Sequence, residues 1–420
     1  EDNIMVAGGF EHRHEKYLRI SDSVFQQGSL LGQGGPTPGV ERGYTVAEFF
    51  AEANVPLLSG VMLADALTLD LAYRYSDYST SGGESTYRIG FDWAPIESVR
   101  VRAGYNRAVR APNVAELFSA QSLGLWSGVD PCAGATPVYS PAQCANMGVT
   151  AGQYGNITAS PAGQYNGLFG GNPELNPEVA DTYTLGVVWN PLDTMTISVD
   201  YWDITIEDTI NNIGATTILE QCGEFGILCE QITRNQSGNL WQGTNGFVED
   251  TTINLGENHW EGVDLAFNWG IDALGGTFTT NLIGTYMLTK EVTSLPAVPE
   301  SAYDCVGVIS TRCFPSPEWR HTADVSYDSN SWFSATLRWR YFDGVDYDGS
   351  TDTIAQKEMS SSQNYFDING VLRWRQHDLV LGVNNFLDEE PPMVGGTLTT
   401  NANTIAGFYD TLGRYLYAKA

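Results

Sequence analysis

Apolar and polar residues alternate with a period of two through most of the chain. Leu67, Leu69, Leu71, Tyr73 and Tyr75 are interleaved with Thr68, Asp70, Ala72, Arg74 and Ser76. Phe333, Ala335, Leu337, Trp339 and Tyr341 are interleaved with Ser334, Thr336, Arg338 and Arg340. The same pattern marks residues 87–93, 99–105 and 263–269. Successive side chains of a strand point to opposite faces, so each segment has one greasy face and one polar face. About 14 such strands are predicted, centred near Gly9, Phe50, Leu71, Gly90, Ala103, Leu185, Val199, Leu265, Leu282, Asp324, Leu337, Asn369, Leu381 and Tyr417. Many reach about nine residues, the length a tilted strand needs to cross a bilayer.

The connections alternate in length. Short ones fall near residues 58–62, 95–97, 191–193, 270–276, 328–331 and 375–378. Long ones fall at 19–42, 110–176, 209–255, 291–317, 343–360 and 387–412, while the connection near 79–84 takes a long slot but is short. Short turns on one side and long loops on the other are the pattern of an outer-membrane barrel. Trp93, Trp189, Trp269 and Trp374 each end a strand before a short connection, and Trp332 follows one. Indoles favour the membrane interface, so these five read as an aromatic girdle on the short-turn side. Leu67, Leu69, Leu71, Leu337 and Leu381 would face lipid. The fold class expected is all-β, an antiparallel transmembrane barrel.

Composition sharpens this picture. Among 420 residues no apolar run approaches the roughly 20 that a membrane helix needs. Fifty Asp and Glu oppose 21 Lys and Arg, a net charge of −29, and only Lys16, Lys290, Lys357 and Lys419 are lysines. Such a surface argues against nucleic acid as a partner. It suits solvated outer loops, and a loop-bound divalent cation is a second use for it. No other cofactor is indicated. The polar strand faces carry Arg74, Arg88, Arg100, Arg102, Arg338, Arg340 and Arg373. Arginines on an inner wall need partners. Asp70, Asp92 and Asp264 are candidates, and a water-filled lumen or a folded plug would serve as well.

Six cysteines fall into three tight pairs within long connections: Cys132 with Cys144, Cys222 with Cys229, and Cys305 with Cys313. No Cys-x-x-Cys occurs, and four of the five His lie far from these pairs in sequence, so zinc is disfavoured. Neighbour disulfides in an oxidising compartment are expected, bracing exposed loops.

Three segments resemble a known family. They are Arg107-Ala-Val-Arg-Ala-Pro-Asn113 with Glu116-Leu-Phe118, Gly171-Asn-Pro-Glu-Leu-Asn-Pro-Glu178, and Asn384-Asn-Phe-Leu-Asp388. In that order they resemble elements of the TonB-dependent receptors of the bacterial outer membrane, over most of the chain. The resemblance implies a barrel of roughly 22 strands, of which about 14 are seen here. It also implies an N-terminal plug that is absent from this chain, and a periplasmic TonB protein acting through that absent region. The chain opens at Glu1 without Met, and it ends Tyr415-Leu-Tyr-Ala-Lys-Ala420 where such barrels end on an aromatic residue. Further residues are therefore expected at both ends. The implied partners are outer-membrane lipid and lipopolysaccharide, the plug or remainder of the receptor, TonB, and a small organic nutrient.

No catalytic arrangement is legible. Gly-x-Ser-x-Gly and His-Glu-x-x-His are missing, so no enzyme is expected. Asn156-Ile-Thr158 matches a glycosylation acceptor that a bacterial setting would leave unused, and Ile218-Leu-Glu-Gln-Cys222 suits a short loop helix. The longest connection carries Trp126, Tyr139, Tyr154, Tyr165 and Phe169, and the next carries Phe225, Trp241 and Phe247. Aromatic faces among amides suit sugars or planar ligands. Trp126, Tyr139, Tyr154, Tyr165, Trp241 and Phe247 are the candidate ligand contacts, with packing of the loops as the competing role. The acidic loops favour a neutral or cationic organic ligand. A passive porin-like channel and a secreted β-rich carbohydrate-binding protein are the alternative functions.

Overall fold

The computed structural model describes residues 3–30, 35–295, 301–310, 312–348, 359–394 and 403–420. Fourteen strands run antiparallel in chain order. They are β1 (Met5–Arg19), β2 (Val40–Val61), β3 (Ala64–Tyr78), β4 (Gly82–Ile96), β5 (Val99–Arg110), β6 (Glu178–Leu192), β7 (Met195–Glu207), β8 (Glu257–Ala273), β9 (Gly276–Thr293), β10 (Trp319–Asp328), β11 (Phe333–Phe342), β12 (Gln363–Trp374), β13 (His377–Asn384) and β14 (Tyr415–Lys419). Each pairs with the next, and a short strand, Ala302–Asp304, adds to β9. Every predicted strand centre lies inside one of the fourteen. The sheet does not close, since β1 and β14 are not neighbours.

Turn chemistry fixes the short side. Between β8 and β9, Leu274 and Gly275 take φ of 54° and 78°. Two positive φ values make the two-residue turn whose twist matches the flanking strands. At the other end of the strands lie the long connections, residues 20–39, 111–177, 208–256, 294–318, 343–362 and 385–414.

The two faces of the sheet differ in kind. On the outer face of β4, Tyr87, Ile89, Phe91 and Trp93 are all exposed, as are Tyr183, Leu185, Val187 and Trp189 on β6. Leu71, Leu337 and Leu381 are exposed there too, while Leu67 and Leu69 are half-buried. Apolar side chains turned outward over so many strands mean that the surrounding solvent is apolar. Trp93, Trp189, Trp269, Trp332 and Trp374 all lie at or near the short-turn end, and the Trp93 indole donates to the Leu63 carbonyl in a turn (2.9 Å). Toward the other end the outer face turns to tyrosine. Tyr87, Tyr105 and Tyr183 are neighbours at 5.9 and 4.9 Å. Beyond them comes charge: Asp181 accepts from Tyr105 (2.8 Å) and pairs with Arg107 (3.1 Å).

The long connections fold into two lobes with cores of their own. In the first, residues 111–177 and 208–256 bury Met147, Ile157, Ile218, Leu219, Leu240 and Val248 around Cys132, Cys144 and Cys222. Strands Ser122–Ser127 and Gln164–Phe169 pair antiparallel, and Phe247–Glu249 joins them in parallel. The predicted loop helix is Ala215–Phe225, and it ends at Gly226 in the left-handed conformation. In the second lobe Ile309, Val345, Met359, Val394 and Tyr409 form a smaller core. Three disulfides, Cys132–Cys144, Cys222–Cys229 and Cys305–Cys313, join the expected neighbours.

Candidate functional site

The inner face of the sheet is a ladder of ion pairs. Arg13 and Arg74 converge on Glu48, which is buried, accepts from Ser76 (2.6 Å) and lies 2.8 Å from Arg13. Arg74 also lies over the Phe50 ring at 5.1 Å. Arg100 meets Asp92 at 3.2 Å, Arg338 meets Asp324 at 2.7 Å, and Arg340 meets Asp367 and Asp410 at 2.9 and 3.1 Å. Arg373 meets Asp328 at 2.8 Å. Arg102 donates two hydrogen bonds to Asp200, each 2.7 Å.

Arg102 shows how register selects a partner. Asp92 stands directly across from it on β4, and Gly186 stands across on β6. Because Gly186 has no side chain, Arg102 reaches over it to Asp200 on β7, and a Cβ at Gly186 would overlap that carboxylate. Of the three acids proposed from sequence, only Asp92 joins an ion pair among the described residues. Asp70 instead accepts from the Asn54 amide (2.6 Å) and Asp264 from the Thr285 hydroxyl (2.8 Å). Arg88 faces the same side and forms no ion pair among the described residues.

The first two family-like segments are welded together at the rim. Asn113 caps the helix Val114–Phe118 in a capping box with Glu116. Arg110 donates to Glu116 of the first segment (3.1 Å) and, at 2.6 and 2.8 Å, to Glu178 of the second. Asn172 donates its backbone N–H to the Glu116 carbonyl (2.8 Å). The long excursion between β5 and β6 therefore begins and ends at one charged clasp. In the third segment Asn385 is fully buried with φ of 46°. Its backbone N–H donates to Asp367 (2.8 Å) and its side chain bonds both ways with the Glu389 backbone. An Asn suits this position because it tolerates positive φ and can do both.

The candidate loop aromatics lie in or against the first lobe's core. Tyr165 is 2% exposed and stacks on Trp126 at 5.0 Å. Tyr139, Tyr154 and Trp241 pack partly buried against the same core, and Phe247 opens the strand Phe247–Glu249. Their polar atoms are spent locally. The Trp126 indole donates to the Asn166 carbonyl (3.0 Å), Trp241 to the Thr158 carbonyl (2.9 Å) and Tyr154 to the Tyr139 carbonyl (3.0 Å).

An ion pair absent from the sequence reading holds the lobe. Arg234 donates to both oxygens of Asp130 (2.7 and 2.8 Å) and to the carbonyls of Met147 and Gly238 (2.9 and 2.7 Å). Both side chains are almost wholly buried, at 2% and 0% exposure. Nearby, burial pushes the Asp250 carboxyl up, although backbone N–H groups of Gly214 and Ile213 oppose the shift. Among the described residues no group of three or more His, Cys, Asp or Glu is placed to hold a metal.

A family model described as TonB dependent receptor-like, beta-barrel, matches residues 6–386. Solved structures share the fold. The ferric enterobactin receptor PfeA of Pseudomonas aeruginosa is 17% identical with a TM-score of 0.64, covering 99% of this chain and 50% of its own. The siderophore receptor PirA of Acinetobacter baumannii is 16% identical with a TM-score of 0.58, covering 99% and 51%. The copper transporter OprC is 13% identical with a TM-score of 0.53, covering 100% and 54%. The chain thus spans about half the length of these solved proteins. No curated protein matches the sequence.

Proposed function

The chain belongs to the TonB-dependent receptor β-barrel family, and on that premise we propose that it is the barrel part of a receptor in the bacterial outer membrane. The receptor captures a scarce small organic nutrient at its outer lobes and imports it with energy transmitted by TonB. The observation that carries this reading is the two-faced sheet: fourteen consecutive strands with apolar residues outside and paired charges inside. Such a wall fits lipid on one side and a polar lumen on the other. Braced lobes at the long-loop end supply rigid elements around an entrance, the arrangement that binding surfaces need. At these identities PfeA, PirA and OprC lend the fold and not the cargo.

The test is growth of the native host on a panel of single nutrient sources, with the complete receptor present or deleted and TonB present or deleted. At least one source should support growth only when both are present. Growth that depends on the receptor but not on TonB would replace import by passive diffusion through a channel.

A further inference from the structure

Asparagine followed by glycine occurs three times in the chain, at Asn166–Gly167, Asn245–Gly246 and Asn369–Gly370. The pairing carries chemistry, because a glycine has no Cβ to shield its nitrogen from the preceding carboxamide. The fold treats the three pairs differently. Asn166 and Gly167 lie in the strand Gln164–Phe169, paired with Ser122–Ser127. The Asn166 side chain is buried and its amide donates to the Gly243 and Gly246 carbonyls (2.8 and 2.9 Å). Asn369 and Gly370 lie in β12, paired on both sides by β11 and β13. Asn245 is exposed in an irregular bend just before the strand Phe247–Glu249. Neither its carboxamide nor the Gly246 N–H has a hydrogen-bond partner among the described residues. Packing admits only glycine at 246, since a Cβ there would lie 2.3 Å from the Asn239 carbonyl oxygen.

An unpaired backbone N–H is a costly group, and closing a ring through its nitrogen removes it. We propose that Asn245 is a self-modification site, at which the Gly246 nitrogen displaces the side-chain amide. The nitrogen gives its proton to hydroxide and attacks Asn245 Cγ. A nitrogen–carbon bond forms, the Cγ–Nδ2 bond breaks, and the amide nitrogen takes a proton from water and leaves as ammonia. Water then opens the five-membered succinimide at one of its two carbonyls. Breaking the bond to Cγ leaves an ordinary aspartyl linkage. Breaking the bond to the main-chain carbonyl leaves an isoaspartyl linkage, rerouted through Cβ and one atom longer. One water is consumed overall, one ammonia is released, and nothing is oxidised or reduced. The position gives this change its consequence. The Gly246 carbonyl holds the Asn166 amide, and Val248 begins the parallel pairing with Gly167. This is the seam between residues 111–177 and 208–256, and an extra main-chain atom beside it displaces the carbonyl that Asn166 needs.

The test ages the complete receptor in detergent at mildly acidic and mildly alkaline pH. Mass spectrometry follows each Asn-Gly peptide, and an isoaspartyl methyltransferase counts isoaspartate. Asn245 should convert at least about tenfold faster than Asn166 and Asn369, whose strands must open before they can react. Its rate should rise with pH, and aspartate and isoaspartate should both accumulate. In denaturant the three sites should converge. Proteolysis within residues 208–256 should increase with age in the native protein and stay constant in Asn245→Gln, with heat-dependent gel mobility reporting that the variant has folded. No conversion at Asn245, or equal rates at the three sites of the folded receptor, overturns the site. A lead of Asn245 that persists in denaturant overturns the role of the fold. Conversion that leaves proteolysis unchanged overturns the effect on the seam.

Discussion

Replacing Arg234 by Met is expected to melt the first outer lobe while leaving the barrel folded. The change strands the Asp130 carboxylate in a site where its exposure is nil and only the Cys132 backbone N–H (3.0 Å) still donates to it. Removing one partner of a buried ion pair costs about 3–5 kcal/mol, because the other charge stays desolvated. It also frees the Met147 and Gly238 carbonyls that Arg234 had satisfied. The check is limited proteolysis of folded, lipid-reconstituted receptor. Cleavage within residues 111–177 and 208–256 should appear in Arg234→Met and recede in Asp130→Leu, Arg234→Met, where no charge is stranded. Full protection in the single variant would show that the ion pair is not what holds the two connections together.

A charge on the outer wall should be nearly as costly. Leu69 pairs across the sheet with Val55 and Phe91, all on the apolar face. Leu69→Arg near the bilayer midplane is expected to cost about 2–4 kcal/mol of folding into lipid. Thr68→Arg one residue away points to the inner face, across from Asp92, and should cost less than about 1 kcal/mol. Denaturant titration of the complete receptor in lipid vesicles measures both. Equal costs, or the reverse order, would refute the facing of β3.

Sequence reading succeeded where the signal is local. A strand's period of two survives any tertiary context that keeps one face in lipid, so Leu71, Gly90 and Leu185 fall inside the strands centred on them. Trp93 and Trp374 mark strand ends because an indole has a preferred depth. Cys132 and Cys144 find each other because they share one loop. Partners across the sheet were less legible. Register breaks at Pro56/Leu58, Trp93/Ile96, Trp189/Leu192 and Glu261/Gly262 shift which residues stand opposite. The Arg102–Asp200 bond further reaches across two strand spacings and depends on the intervening Gly186. Asp130 and Arg234 lie 104 residues apart in two connections without periodicity. Nothing local could have joined them, and the parallel pairing of Gln164–Phe169 with Phe247–Glu249 was equally hidden.

A transmembrane barrel wall has lipid on one face and a polar interior on the other. Nitroxide labels placed singly at residues 183, 184, 185, 187 and 188 of β6 test it most directly, because no free cysteine competes for label among the described residues. In lipid vesicles, collision with dissolved oxygen should be high at Tyr183, Leu185 and Val187 and low at Thr184 and Val188. A profile without this alternation, or with the two sets exchanged, would contradict the membrane-spanning barrel wall.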